Sequence, residues 1–360
     1  MPLTTIRTSN LDPNNGLLFR NRIINGAMVI DQRNVGAAQN NLAGSATTYL
    51  VDRWYYYGTQ ASKFNSQQNA GSVTPPAGFT KYLGLTSTSA YSVVTSDFFN
   101  LRQAIEGFNV ADLGFGTANA STVTLSFWVR SSLTGTFSGV LSNTSFNRVY
   151  PFTFTISSAN TWEQKSVTVA GDTSGTWATD NTSGLILTFN LGAGATFLGT
   201  AGAWTGSTLV GATGSVNVVG TNGATFYITG VQLEKGSTAT AFDYRPFGTE
   251  LALCQRYYHY LGGDTAYQSI NTVVWYGTGD AVGFFRHPVE MRSTPSIAKT
   301  GTWGTLGGGG SAGNTISGDQ LGPKTVQLGC TGGSSGTSGQ ASTLRVINDL
   351  NFRLTFSAEL

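Results

Sequence analysis

The sequence predicts an all-β protein, and three features carry that prediction. Gly accounts for 47 of 360 residues, about twice its usual share of roughly 7%. Charged residues make up only 11%, under half the ordinary share of about 25%. The 21 Phe and 14 Tyr stand in short runs with Ser and Thr, separated by turn formers, as strands joined by many turns require. A helical chain of this length would be richer in Glu, Lys, Ala and Leu. With 40% hydrophobic residues the chain has enough apolar surface for a packed core, which argues against disorder.

The elements follow in order. Residues 1–20 are polar and contain the turn cluster Asp12-Pro13-Asn14-Asn15-Gly16, so they read as an arm ahead of the first domain. Residues 21–245 read as a jelly-roll β-sandwich with leading strands. The leading pieces are NRIINGAMVIDQRN and YLVDRWYYYG, each short, β-branched or aromatic and bounded by turn formers. In STVTLSFWVRSS, Val123, Leu125, Phe127 and Val129 alternate with Thr124, Ser126, Trp128 and Arg130, which gives a strand one apolar face. PFTFTIS places Phe152, Phe154 and Ile156 together, and QKSVTVAG, GLILTFNLG and ATFYITGVQLE follow suit. Val231 and Leu233 alternate with Gln232 and Glu234, which predicts one wet face. NLRQAIEG reads as a helical turn or an edge strand.

After Arg245-Pro246-Phe247-Gly248 the composition changes, and residues 246–360 read as a smaller C-terminal β-domain. ELALCQRYYHYL suggests a helix flowing into a strand, and NTVVWYG, AVGFFRHPVEM, KTVQLG, TLRVIND and FRLTFSAEL suggest five more strands. GTLGGGGSAGN and GCTGGSSGTSGQ read as loops at one end of this domain.

Charge and cysteine content exclude several functions. Twenty basic and 18 acidic residues, with no cationic run, leave no footprint for nucleic acid. No apolar stretch is long enough to span a membrane, and the first residues lack a signal-peptide layout, so synthesis in a cytoplasm without membrane insertion is expected. Cys254 and Cys330 lie too far apart for a finger-type metal spacing and read as buried free thiols.

NRIINGAMVIDQRN followed by VDRW resembles the opening of phage tail-fibre and related virion appendage proteins. FNLRQAIEGFNVADLGFGTANASTVTLSFWVRSSLTGTF, NTWEQKSVTVAGDTSGTW and FYITGVQLEKGSTATAFDYRP are similar to the same proteins, and to carbohydrate-binding-module jelly rolls. FFRHPVEMRSTPSI and the terminal FSAEL resemble their small C-terminal domain. The resemblance covers nearly all the chain past residue 20. It implies a virion protein built as a homotrimer, joined to other phage structural proteins through the arm, with the C-terminal domain as its receptor-facing tip. It implies binding of a host surface glycan or receptor without catalysis and without a cofactor. Two alternatives stay open: a purely structural head fibre, collar or tail-tip protein, and a depolymerase of host polysaccharide. The low charge is itself unusual for a freely soluble monomer and fits burial in an assembly.

The chemistry-bearing residues are few. His259 and His287 stand in aromatic surroundings and read as structural, because a triad would need a nucleophile and an orienting acid around one of them. Asp172, Asp180, Glu163 and Glu234 are the carboxylates to weigh for glycan hydrolysis. Asp172 and Asp180 sit in Gly/Thr/Ser turns, where Asp caps its own backbone. Exposed aromatics beside neutral polar residues suit sugar rings. Tyr267, Trp275, Tyr276 and Trp303, next to the glycine loops, are therefore the expected glycan contacts, with Trp54–Tyr57, Trp128, Trp162, Trp177 and Trp204 as further aromatics.

Overall fold

The computed structural model describes residues 20–277, 279–301, 303–306, 315–331 and 336–360. The predicted arm, apart from Arg20, lies outside them, as do 307–314 and 332–335 of the two glycine segments. The described chain is almost entirely β. Strands β1 (Thr48–Val51), β2 (Trp54–Gly58), β3 (Phe64–Gln68), β4 (Leu83–Ser87) and β5 (Phe98–Glu106) come first. β6 (Val123–Ser131), β7 (Gly135–Ser142), β8 (Val149–Ile156), β9 (Glu163–Val169) and β10 (Ser183–Ala193) follow. A short parallel pair, β11 (Leu198–Gly199) and β12 (Gly211–Ala212), precedes β13 (Thr225–Lys235).

These strands form two antiparallel sheets, β1-β2-β5-β10-β7-β8 and β3-β4-β13-β6-β9. The period-2 pattern puts Val123, Leu125, Phe127 and Val129 of β6 in the core between them, against Phe154 of β8 and Phe189 of β10. NLRQAIEG is neither a helical turn nor an edge. It belongs to β5, a strand held on both sides by β2 and β10, because Leu101 and Ile105 of this segment face the sandwich core.

Two local predictions fail for the same reason. NRIINGAMVIDQRN forms no strand, although Ile23, Met28 and Ile30 are buried. Its backbone is satisfied by side chains and by isolated backbone bonds to β13 and Asp52 instead of a ladder. Gln103 accepts from Ile24 N and donates to Ile24 O, both at 2.9 Å. The Asn25 amide brackets Ile30 with bonds of 2.7 and 3.0 Å, while Asn25 and Met28 take left-handed φ. The expected wet face of β13 is also covered: Gln232 and Glu234 are buried. The tail after β13 folds back over them, so that Thr240 donates twice to Glu234 and Asp243 N donates to Gln232 Oε1 at 2.8 Å. Asn21 reaches the bulge in β13, donating to Val231 O at 3.0 Å and accepting from Leu233 N at 3.0 Å. Gly26 is required where its carbonyl accepts from Val231 N, since an added Cβ would lie 2.1 Å from Val231 O.

Helix α1 (Phe247–Gln255) then leads into β14 (Tyr258–Leu261), as ELALCQRYYHYL predicts. The remaining strands are β15 (Ser269–Trp275), β16 (Asp280–Arg286), β17 (Ser296–Thr300), β18 (Trp303–Leu306), β19 (Thr315–Leu321), β20 (Thr325–Thr331), β21 (Ala341–Val346) and β22 (Arg353–Ser357). They form a sheet β14-β22-β17 and a sheet β18-β21-β15-β16-β20-β19, which share one core. The glycine segments are partly strand: β18 runs through Leu306 and β20 through Thr331.

This unit docks on the sandwich through ion pairs with little exposure. The Glu106 carboxylate accepts from Arg256 Nη2 at 2.5 Å and from the Tyr257 hydroxyl at 2.6 Å. Glu359 pairs with Arg33 at 2.8 Å and with Arg53, whose guanidinium also lies 3.6 Å from the centre of the Tyr257 ring. Asp52 turns the other way, accepting from Gln32 N at 2.6 Å; the two residues form the turn between β1 and β2, where Arg53 takes a left-handed φ of 70°.

Candidate functional site

Among the described residues, a candidate binding geometry lies where the tail after β13 crosses the loop before β4. A tight turn at Asp243, closed by Tyr244 N donating to Phe242 O at 3.1 Å, holds the Asp243 carboxylate where it accepts from Arg20 N at 2.8 Å and Asn21 N at 3.2 Å. Phe242 and Tyr244 are thereby turned toward Phe79. Their ring centroids lie 5.1 and 5.5 Å from that of Phe79, and 4.8 Å from each other. Tyr244 is 57% exposed. Its hydroxyl passes over Gly78, where an added Cβ would come within 2.6 Å of it. The rings border a cleft of about 250 Å³, lined also by Asn21, Ala27, Val29 and Thr80.

The charged groups of the cleft are engaged with the protein. Arg245 pairs with Glu250 at 3.2 Å and donates to Ile23 O at 3.1 Å, while Glu250 accepts from Asn25 N. What the cleft offers is aromatic area with the hydroxyls of Thr80 and Tyr244 at its rim, since the Asn21 amide is spent on Val231, Ile23 and Leu233. The band of rings continues on the outer face of the five-stranded sheet. Gly230, at φ 62°, lets the Phe79 and Trp128 rings close over it. Tyr227, Tyr82 and Trp162 form a second group there, with centroids 5.3 and 5.4 Å apart in turn.

The predicted glycan contacts divide in two. Trp275 and Trp303 are buried in the core of the C-terminal unit, because inward alternation on β15 and the pairing of β18 with β21 direct both indoles inside. Tyr276 and Tyr267 are 60% and 50% exposed, and Arg345 lies 5.2 Å from the centre of the Tyr267 ring. Of the other aromatics, Trp54 is buried, whereas Trp177 and Trp204 pack edge-to-face near Phe115. Phe79, Phe242 and Tyr244 were not singled out by sequence reasoning. The signal available was the apolar-polar-apolar Phe242-Asp243-Tyr244 just before Pro246.

The carboxylates weighed for hydrolysis each have local partners. Asp180 accepts from Thr182 N at 2.9 Å, the turn role expected of it. Asp172 binds Arg148 at 2.7 and 2.6 Å and caps Ser174 N at 3.1 Å. Glu163 accepts from Ser157 N and Ser158 N and pairs with Lys165, while Glu234 is held by Thr240 and Gln232. Cys254 and Cys330 are buried free thiols, and burial pushes the Cys330 thiol up to about 12.

His259 and His287 face each other. His287 Nε2 lies 3.2 Å from Gly322 O and so carries the proton, which leaves Nδ1 to accept from His259 Nε2 at 2.8 Å. Both rings pack on Phe356. Burial, then the neighbouring His287, lowers His259 from 6.5 to about 3. The unfolded chain therefore takes up a proton below pH 6.5 that the folded chain refuses, so this contribution is full above 6.5 and lost as pH falls toward 3. Burial raises Asp52 to about 6 and contributes with the opposite sign in the acid range. The test is thus a difference: between pH 7.5 and 5, wild type should lose about 2 kcal/mol more stability than His259→Gln in urea titrations. Parallel pH profiles would refute the neutral pair.

No protein-family model matches the chain, and no curated protein matches it. Solved structures with which it aligns include a tailspike protein 4 domain of bacteriophage CBA120, described as enzymatically active, at 12% identity and a TM-score of 0.31. That alignment covers 60% of this chain but spans only 21% of the tailspike chain. A putative sugar binding protein from Bacteroides thetaiotaomicron aligns at 10% identity over 60% of this chain and 100% of that one, with a TM-score of 0.32. A family 11 carbohydrate-binding module from Clostridium thermocellum, in complex with a tetrasaccharide, aligns at 11% identity over 57% of this chain and 98% of that one, with a TM-score of 0.28.

Proposed function

We propose that this chain is a structural and adhesive component of a phage virion that binds a host surface glycan without cleaving it. The observation that carries the glycan reading is the cleft where the exposed Tyr244 ring and the half-buried rings of Phe79 and Phe242 meet neutral polar groups. The apolar faces of a sugar ring stack on such rings, and its hydroxyls bond to the rim. The virion part of the proposal rests on the sequence resemblance, as do homotrimeric assembly and anchoring by residues 1–20. At the C-terminal unit, Tyr276 and Tyr267 are proposed as further contacts, supported from within by Trp275 and Trp303. Weak sites repeated in a trimer would combine through avidity, which gains about a hundredfold or more.

Tyr244→Ala is expected to weaken binding of neutral host oligosaccharides by roughly fivefold, the loss of about 1 kcal/mol of stacking. Titration calorimetry beside thermal melting checks it, and unchanged affinity in a folded variant removes the cleft from the reading. Release of reducing ends from host polysaccharide by the wild-type chain would replace adhesion with hydrolysis.

A further inference from the structure

A second site stands on the outer face of the six-stranded sheet. Arg102, at the middle of β5, is only 9% exposed. Its register partners are Tyr55 on β2 and Thr188 on β10. Its guanidinium lies 5.5 Å from the ring of Tyr57, 5.7 Å from that of Phe98 and 4.9 Å from that of Phe146. These three rings are half-buried, Tyr57 stacks on Phe98 at 5.5 Å, and half-buried Phe197 meets the edge of Phe98 at 5.0 Å.

What the site lacks is an anion. Burial lowers the affinity of Arg102 for a proton, and the groups that act on its charge are the tyrosines Tyr55, which is also hydrogen-bonded to it, and Tyr57. Asn100, with its amide oriented to suit both neighbours, accepts from Nη2 at 3.0 Å, yet Nε is buried with no hydrogen-bond partner. The Thr188 hydroxyl, opposite in register, is buried and unpartnered as well. The other low-exposure arginines, Arg53 and Arg245, with side chains 2% and 4% exposed, each meet a carboxylate; among the described residues Arg102 is in no ion pair. A cation held against aromatic faces, with only part of its donors spent and no carboxylate beside it, is suited to a planar anion.

We infer that Arg102, walled by Tyr57, Phe98 and Phe146, is a binding site for a carboxylated sugar. The carboxylate would take the guanidinium, and the sugar ring would lie against the aromatic rings beside it. A uronic acid and a sialic acid share this chemistry. The site lies on a different sheet from the cleft and stands whether or not the cleft binds.

The test is titration of the wild-type chain with hexagalacturonate, with sialyllactose, and with hexagalacturonate whose carboxyl groups have been reduced to alcohols. Binding of either acidic ligand, at least tenfold tighter than the reduced one, is expected. Arg102→Met keeps the side-chain bulk against the rings, and is expected to abolish that tenfold preference while melting no lower than wild type. Equal binding of the acidic and reduced ligands, or no binding of either acid, overturns the assignment in the wild-type chain without any variant. A folded Arg102→Met that keeps the preference overturns it too. Neutral oligosaccharide binding reads the cleft, whereas the acid-to-reduced ratio reads Arg102, so the two proposals fail separately.

Discussion

Glu359→Ala is expected to destabilise the chain by about 3–5 kcal/mol, because it leaves a buried guanidinium without its counter-charge. The Arg53 side chain is 2% exposed, donates to Ala104 O at 2.6 Å and pairs with Glu359. Burial disfavours the Arg53 cation, and the Glu359 carboxylate, together with Tyr257, Tyr49 and Cys254, outweighs it. Arg33 shares the same carboxylate at 2.8 Å, so the substitution strands two cations. The lost contacts also hold the last residues against the sandwich, where the Tyr49 hydroxyl donates to Leu360 O at 3.3 Å. Urea titration measures the loss, and limited proteolysis should show cutting between the sandwich and the C-terminal unit. Arg53→Met, which removes the buried charge along with its pairing, should cost less than Glu359→Ala. A Glu359→Ala protein with wild-type stability would mean that the pair contributes little to docking.

Trp275→Ala should cost about 3–5 kcal/mol, as expected for emptying a large buried aromatic site. The indole is fully buried among the core residues of the C-terminal unit, and Gly336 lies against its face. Thermal melting should fall, and Trp303→Ala should behave alike, since that ring shares the core. Tyr276→Ala, at an exposed ring, should leave melting nearly unchanged. If Trp275→Ala melts like wild type, the core placement of this indole is wrong.

How far the fold was legible depended on where each element found its partners. Period-2 alternation identified β6, β8, β9, β10 and β13, and the strand candidates of the C-terminal unit, because side-chain direction in a strand is a local property. The helix ahead of β14 was legible in ELALCQRYYHYL, although it starts earlier than that segment, at Phe247. The segment 21–34 was not, although its apolar residues are buried as in a strand. Its backbone partners include its own Asn21 and Asn25 side chains, together with Gln103 of β5 and Leu233 and Val231 of β13, which it meets only by folding back onto the sandwich.

The candidate site followed the same division. The sequence alone determined the all-β class, the inward faces of the strands, the buried thiols and the turn role of Asp180, since each follows from neighbours a few residues away. Only the tertiary structure decided which aromatics reach solvent. Trp275 and Tyr276 are adjacent, yet one is core and the other surface, because alternation divides neighbours between two faces and only packing decides which face is covered. Likewise Phe79 meets Tyr244 across 165 residues, and Arg102 stands among rings from β2, β5 and the loop after β7. Such sites depend on which strands become neighbours in a sheet, and hydrogen-bonded pairing between distant segments leaves no periodic trace in either one.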